Sequence, residues 1–132
     1  MAVDTAIVYL AGADLSAKQF YAVKDNGSGA AVAIAADTDA PIGILQNKPT
    51  SGLVCELANG VGGYGAAGQV VKALGGGAIK KGDFLGPDGT GKLVKRTIGT
   101  DITKYVCARA GSDAADGDIF PVIVIPVPFR AA

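Results

Sequence analysis

The chain has 132 residues, enough for one domain with its own core. Lys+Arg and Asp+Glu are each 12, and there is no histidine. A neutral chain is a poor candidate for electrostatic binding to nucleic acid or to an anionic membrane, and the missing imidazole removes the commonest general base and metal ligand.

From the N-terminus, Met1 to Leu10 has neither a basic n-region nor a long apolar run, so it does not read as a secretory signal. Strand patterns follow at Ala6–Leu10, Gln19–Lys24, Ala31–Ala35, Pro41–Gln46 and Leu53–Leu57. They continue at Gln69–Leu74, Asp83–Leu85, Lys92–Ile98, Lys104–Ala110 and Asp118–Ile125. Asp25-Asn26-Gly27 and Pro87-Asp88-Gly89 are turn sequences, because Asn, Asp and Gly tolerate positive φ and Pro presets a turn. The best helical stretches, Asp14–Lys18 and Ser112–Ala115, are one turn each. About ten short strands at this spacing predict an all-β barrel or sandwich with little helix.

The chain also repeats itself. A slide of 64 residues puts Ile7 on Val71, Leu10 on Leu74, Gly12 on Gly76, Leu15 on Ile79 and Phe20 on Phe84. One deletion then sets Asp25 against Asp88. Two related halves are expected, joined in one β unit by a pseudo-twofold.

The last strand, Asp118 to Phe129, is apolar at both parities, which asks for cover on both faces. Yet Pro121, Pro126 and Pro128 lack an N–H, which pushes such a strand to a sheet edge. A bare apolar edge is a liability, so a second chain is expected over part of it; the alternative is a strand that crosses the domain's own core with the prolines at its ends. The candidate oligomer-interface residues are Ile119, Phe120, Val122, Ile123, Val124 and Ile125. The run is too short and too proline-rich to span a bilayer.

Motifs for chemistry fail on inspection. Gly63-Tyr64-Gly65-Ala-Ala-Gly68 matches the dinucleotide fingerprint, but Gln69–Leu74 is no helix to hold a pyrophosphate, so it reads as a loop. Gly86 to Lys92 matches the start of a P-loop, but Leu93 replaces the magnesium-binding hydroxyl, and a hairpin turn is expected. Ser16, Ser28, Ser51 and Ser112 sit in polar loops with no histidine to activate them. Glu56, the only glutamate, reads as an outward strand carboxylate. Asp37/Asp39 and Asp113/Asp116/Asp118 lack calcium-loop spacing. Cys55 and Cys107 form no CxxC and read as buried strand residues. Lys72, Lys80, Lys81, Lys92, Lys95 and Arg96 read as a solvated basic face without the aromatics of a nucleic-acid platform. No catalytic residue, metal or cofactor is expected.

Ala36-Asp-Thr-Asp39-Ala-Pro-Ile42-Gly-Ile-Leu45-Gln, Ala78-Ile-Lys-Lys-Gly82-Asp-Phe-Leu85 and Gly89-Thr-Gly-Lys92-Leu-Val94 occur in that order. Ala108-Arg-Ala110, then Gly117-Asp-Ile119 and a Val/Ile strand, follow. Together they resemble the small capsid decoration (cement) proteins of tailed bacteriophages, over roughly residues 6 to 125. The resemblance implies one β-tulip-like domain over residues 1–132, made in the host cytoplasm and resident on the virion. It would bind the major capsid protein on the capsid exterior as a homotrimer and clamp neighbouring subunits. An N-terminal arm, residues 1–6, is expected to grip the shell through Ala2, Val3, Asp4 and Thr5, because an arm can order on binding. The rival expectation is a head-fibre or spike base that recognises a host glycan, with Tyr64 its one candidate platform. A small hydrolase or isomerase comes third.

Overall fold

A computed structural model describes residues 9–60, 64–66 and 70–132. The capsid-contact candidates Ala2, Val3, Asp4 and Thr5 lie outside the described residues. Those described are all-β, with twelve strands and no helix. The first half contributes β1 (Tyr9–Ala11), β2 (Ala22–Asp25), β3 (Ala30–Ala33), β4 (Gly43–Leu45), β5 (Val54–Cys55), β6 (Leu57–Gly60) and β7 (Tyr64–Ala66). The second contributes β8 (Val70–Leu74), β9 (Phe84–Pro87), β10 (Leu93–Lys95), β11 (Tyr105–Ala110) and β12 (Ile119–Arg130).

Each half is one sheet, ordered β5-β1-β3-β2-β4-β6-β7 and β10-β9-β11-β12-β8. In the first, β5 and β6 are separated only by Glu56, and they pair with β1 and β4 on opposite sides. The sheet therefore curls back on itself as a small, nearly closed barrel. In the second, a bridge from Gly75 to Leu93 links the outermost strands β8 and β10.

The halves repeat each other in register. The pairs Val23–Ala33, Lys24–Val32 and Asp25–Ala31 between β2 and β3 recur as Leu85–Lys95, Gly86–Val94 and Pro87–Leu93 between β9 and β10. Ala22–Ile44 and Ile44–Ala58 recur as Phe84–Arg109 and Arg109–Ile123. Leu10–Val54 recurs as Leu74–Ile119. Even the loops agree: Leu15 N–H donates to the Pro49 carbonyl at 2.9 Å, and Ile79 N–H to that of Ala114 at 2.9 Å. Both side chains are buried.

The structure shifts part of the expected alignment. Leu15 to Ala22 is two residues longer than Ile79 to Phe84, so the counterpart of Phe84 is Ala22, not Phe20. The counterpart of Asp88 is Asn26, not Asp25. Asn26 Oδ1 accepts from Ser28 and Ala30 N–H, as Asp88 Oδ1 accepts from Thr90 and Lys92 N–H. That side-chain geometry closes both hairpins, including the stretch that imitates a P-loop.

Strand alternation places the cores. Val23, Leu45 and Leu57 turn inward with Leu15, Ala31 and Cys55 to fill the first half. Their neighbours Ala22, Ile44 and Ala58 face the other way. They join Val71, Leu85, Leu93, Phe120, Val122 and Val124 in a second cluster that spans both halves. Full burial of each large side chain contributes about 1.5–3 kcal/mol.

Three contacts stitch the halves together. Ala22 N–H donates to the Gly91 carbonyl at 2.8 Å. Phe20 donates its N–H to the Leu45 carbonyl at 2.6 Å, and its own carbonyl accepts from Leu74 N–H at 3.0 Å. It does so at φ 71°, a left-handed conformation that costs a non-glycine residue roughly 1–2 kcal/mol. The Gln46 amide bonds both backbone groups of Lys72, at 2.8 and 3.4 Å, and thereby occupies the free edge of β8. Its neighbour Asn47 does the same at β5, donating to the Val54 carbonyl and accepting from Glu56 N–H. Two consecutive amides thus each stand in for a missing strand, which blunts two edges against unwanted pairing.

Other expectations are corrected. Leu53–Leu57 is two strands, and the Gly-rich segment read as a loop contains β7, which pairs in parallel with β6. Of the one-turn helical stretches, Asp14–Lys18 contains a turn and Ser112–Ala115 is extended enough for Ala114 to bridge Ile79. Arg96 is buried, not solvated; its guanidinium bonds the Pro87 carbonyl. Most of all, β12 is not an edge: it pairs with β8 on one side and β11 on the other. Its prolines are accommodated locally. Val106 and Ala108 pair with Phe129 and Val124, so Pro126 and Pro128 lie in a bulge opposite the single residue Cys107. The Pro121 carbonyl accepts from Gly111 N–H, so its missing N–H points just past the end of β11.

Candidate interaction surface

The cysteines and most of the aspartates that could carry chemistry are engaged in structure. Cys107 is enclosed, and burial pushes its thiol up to about 12; burial raises Cys55 as well. Asp39 accepts from Lys24 Nζ and from the Ala35 and Ala36 N–H groups, each at 2.9 Å. Those bonds, the lysine's first, hold its carboxyl below the ordinary value. Asp37 pairs with Lys104 at 3.1 Å and Asp116 with Lys92 at 3.6 Å. Asp113 and Asp118 accept from Lys81 and Ala115 N–H. Among the described residues no three His, Cys, Asp or Glu side chains converge.

What the molecule presents instead is a surface on its second sheet. In β12, alternation divides the six interface candidates. Phe120, Val122 and Val124 point into the core and cannot meet a partner, so that part of the expectation is corrected. Ile119 and Ile123 point outward, 56% and 40% exposed, and Ile125 is half-buried. The sequence reading treated both parities alike because both are apolar; only the pairing reveals which one faces out.

The outward set extends across the sheet. Val70, Ile123, Arg109 and Phe84 are successive partners on β8, β12, β11 and β9. Val70 is 64% exposed. The Arg109 guanidinium lies 5.0 Å from the Phe84 ring centroid, a cation–π stack, and Phe129 meets Phe84 edge-on at 6.3 Å. Between β8 and β11 the face dips into a mainly apolar depression of about 560 Å³, lined by Val70, Pro121, Ile123, Arg109 and Lys81 among others. Two of its lining side chains are cations and none is a carboxylate. Sequence reasoning missed Val70, Arg109 and Phe84, because cross-strand neighbours are distant in the chain. A second apolar patch lies on the first sheet, where the paired Leu10 and Val54 and the adjacent Leu53 are exposed. Glu56 is exposed two residues further along the same segment.

No family model matches the chain, and no curated protein matches it. Among solved structures, the chain is similar in fold to the N base of the head fibre gp8.5 of bacteriophage phi29. The TM-score is 0.62 and the identity 16%, over 93% of this chain and 95% of that one.

Proposed function

We propose that this chain is a structural virion protein, made in the host cytoplasm, that seats on the exterior of a tailed-phage head and works by occupancy, not catalysis. The observation that carries this reading is the shared fold with a phage head-fibre base over nearly the full length of both chains. The ordered motifs that resemble capsid decoration proteins support the same reading. So does the engagement of the carboxylates and cysteines in structural roles.

The mechanism is mass action. A protein that binds the assembled shell and not its separated subunits stabilises the shell. Each footprint on the major capsid protein is expected at about 1,600 Å², with three copies acting together as a homotrimer. Ala2, Val3, Asp4 and Thr5 supply part of the grip. The test is sedimentation of purified protein with undecorated heads, read as copies bound per head and as heat resistance of the shell. Saturable binding with a more heat-resistant shell is expected. No binding to heads overturns the reading. Deleting residues 1–6 should lower occupancy; unchanged occupancy removes the arm from the mechanism.

The likeness to a fibre base favours a second reading, a head-fibre or spike-base module that itself recognises a host surface glycan. Glycan-array binding by the chain itself, without stabilisation of heads, would select it.

A further inference from the structure

In the first half, the row Ala22–Ile44–Ala58 is entirely buried in the cluster shared with the second half. The same register in the second half carries Phe84–Arg109–Ile123, and there the face is open. One face of the repeat unit is thus already used to join it to another copy of itself within the chain. The matching face of the other unit points outward, with small residues replaced by a larger apolar pair around a guanidinium.

We propose that copies of this chain join head to tail, with the Phe84–Arg109–Ile123–Val70 face of one seated on the Leu10–Leu53–Val54 patch of the next, and Arg109 paired with Glu56 across the contact. Charge selects the occupant. Arg109 makes no ion pair within the chain among the described residues, and the depression beside it adds Lys81 and no acid. Packing this face against its own twin would set cations against cations. The Leu10–Leu53–Val54 patch carries the complement: three exposed apolar side chains beside Glu56, which is also free of ion pairs among the described residues. A cation amid apolar surface needs a carboxylate when water leaves, and here one is presented in the same apolar setting. A contact between two different patches is heterologous; where its rotation closes it forms a ring, of which a trimer is one, and where it does not it grows into an open filament.

This inference rests on the oligomer of the proposed function and names its contact; head binding by itself does not depend on it. The test uses the full-length chain, with native mass spectrometry or light scattering for mass and circular dichroism for fold. The wild type should be a closed oligomer. Arg109→Glu and Glu56→Arg should each weaken association about 30-fold or more while staying folded, and the double variant should regain the wild-type mass. Ile123→Asp and Val54→Asp, on opposite sides of the contact, should each dissociate it. A monomeric wild type, a single reversal that keeps its mass, or a double variant that stays dissociated overturns the proposal. Loss of head binding by Arg109→Glu with the oligomer intact would assign the face to the shell and also overturn it. Head sedimentation of the same variants separates this failure from failure of the proposed function.

Discussion

The two halves share strand order and register, yet their equivalent outer rows have opposite fates. Ala22 and Ala58 are small and flank Ile44 in a row that the second half closes over, and all three have become core. Phe84, Arg109 and Ile123 occupy the same positions and meet solvent. The fold tolerates either outcome because each half fills its interior from the other parity of its strands. The outer row is therefore free to become a joint in one half and a surface in the other.

The sharpest way to break the comparison is at β9. Lys24 and Gly86 are register equivalents, but Gly86 packs directly on the Tyr105 backbone, and an added Cβ would overlap the Tyr105 carbonyl oxygen. Gly86→Ala should cost at least about 3 kcal/mol, since backbone cannot step aside as a side chain can. Denaturant titration measures it; a midpoint within error of wild type would contradict the packing described. The buried Leu15 and Ile79 come next. Each truncation to Ala should cost about 2–4 kcal/mol. Cys55 and Cys107 report which half opens: both are buried in the native state, so thiol alkylation during a denaturant series follows each half separately. Co-ordinate labelling of both cysteines in Leu15→Ala would show that the shared core couples the halves; early labelling of Cys55 alone would show that it does not.

Smaller effects test the stitching. Gln46→Ala removes two bonds to Lys72 and uncovers the β8 edge, for an expected loss of about 1–2 kcal/mol and more aggregation on warming. An unchanged melting temperature and unchanged solubility would show that the edge needs no cover. The least is a pH effect. Because the carboxyl of Asp39 is held below its ordinary 3.8, its contribution is complete above that value and fades as pH falls through the lower folded-state value. Wild type should lose its advantage over Asp39→Asn across that acid window, by a small amount at this largely solvated site. A difference between the two that does not change with pH would contradict the assignment.

Local chemistry alone determined much of this protein. Short apolar runs between Gly, Pro, Asn and Asp predict an all-β chain, and the Gly86–Lys92 stretch is legible as a hairpin because its carboxylate and glycines suit a turn and no helix follows. The repeat was visible where Gly12 and Leu15 align with Gly76 and Ile79, because loop and plug depend on neighbours close in sequence. What only the tertiary structure decided is pairing. Both parities of Ile119–Ile125 are apolar, so nothing along the chain tells the core side from the outer side. Three prolines argued for an edge until a bulge opposite Cys107 and the end of β11 absorbed them. And Val70, Ile123, Arg109 and Phe84 become one surface only when four strands lie side by side, because a sheet makes neighbours of residues that the chain keeps far apart.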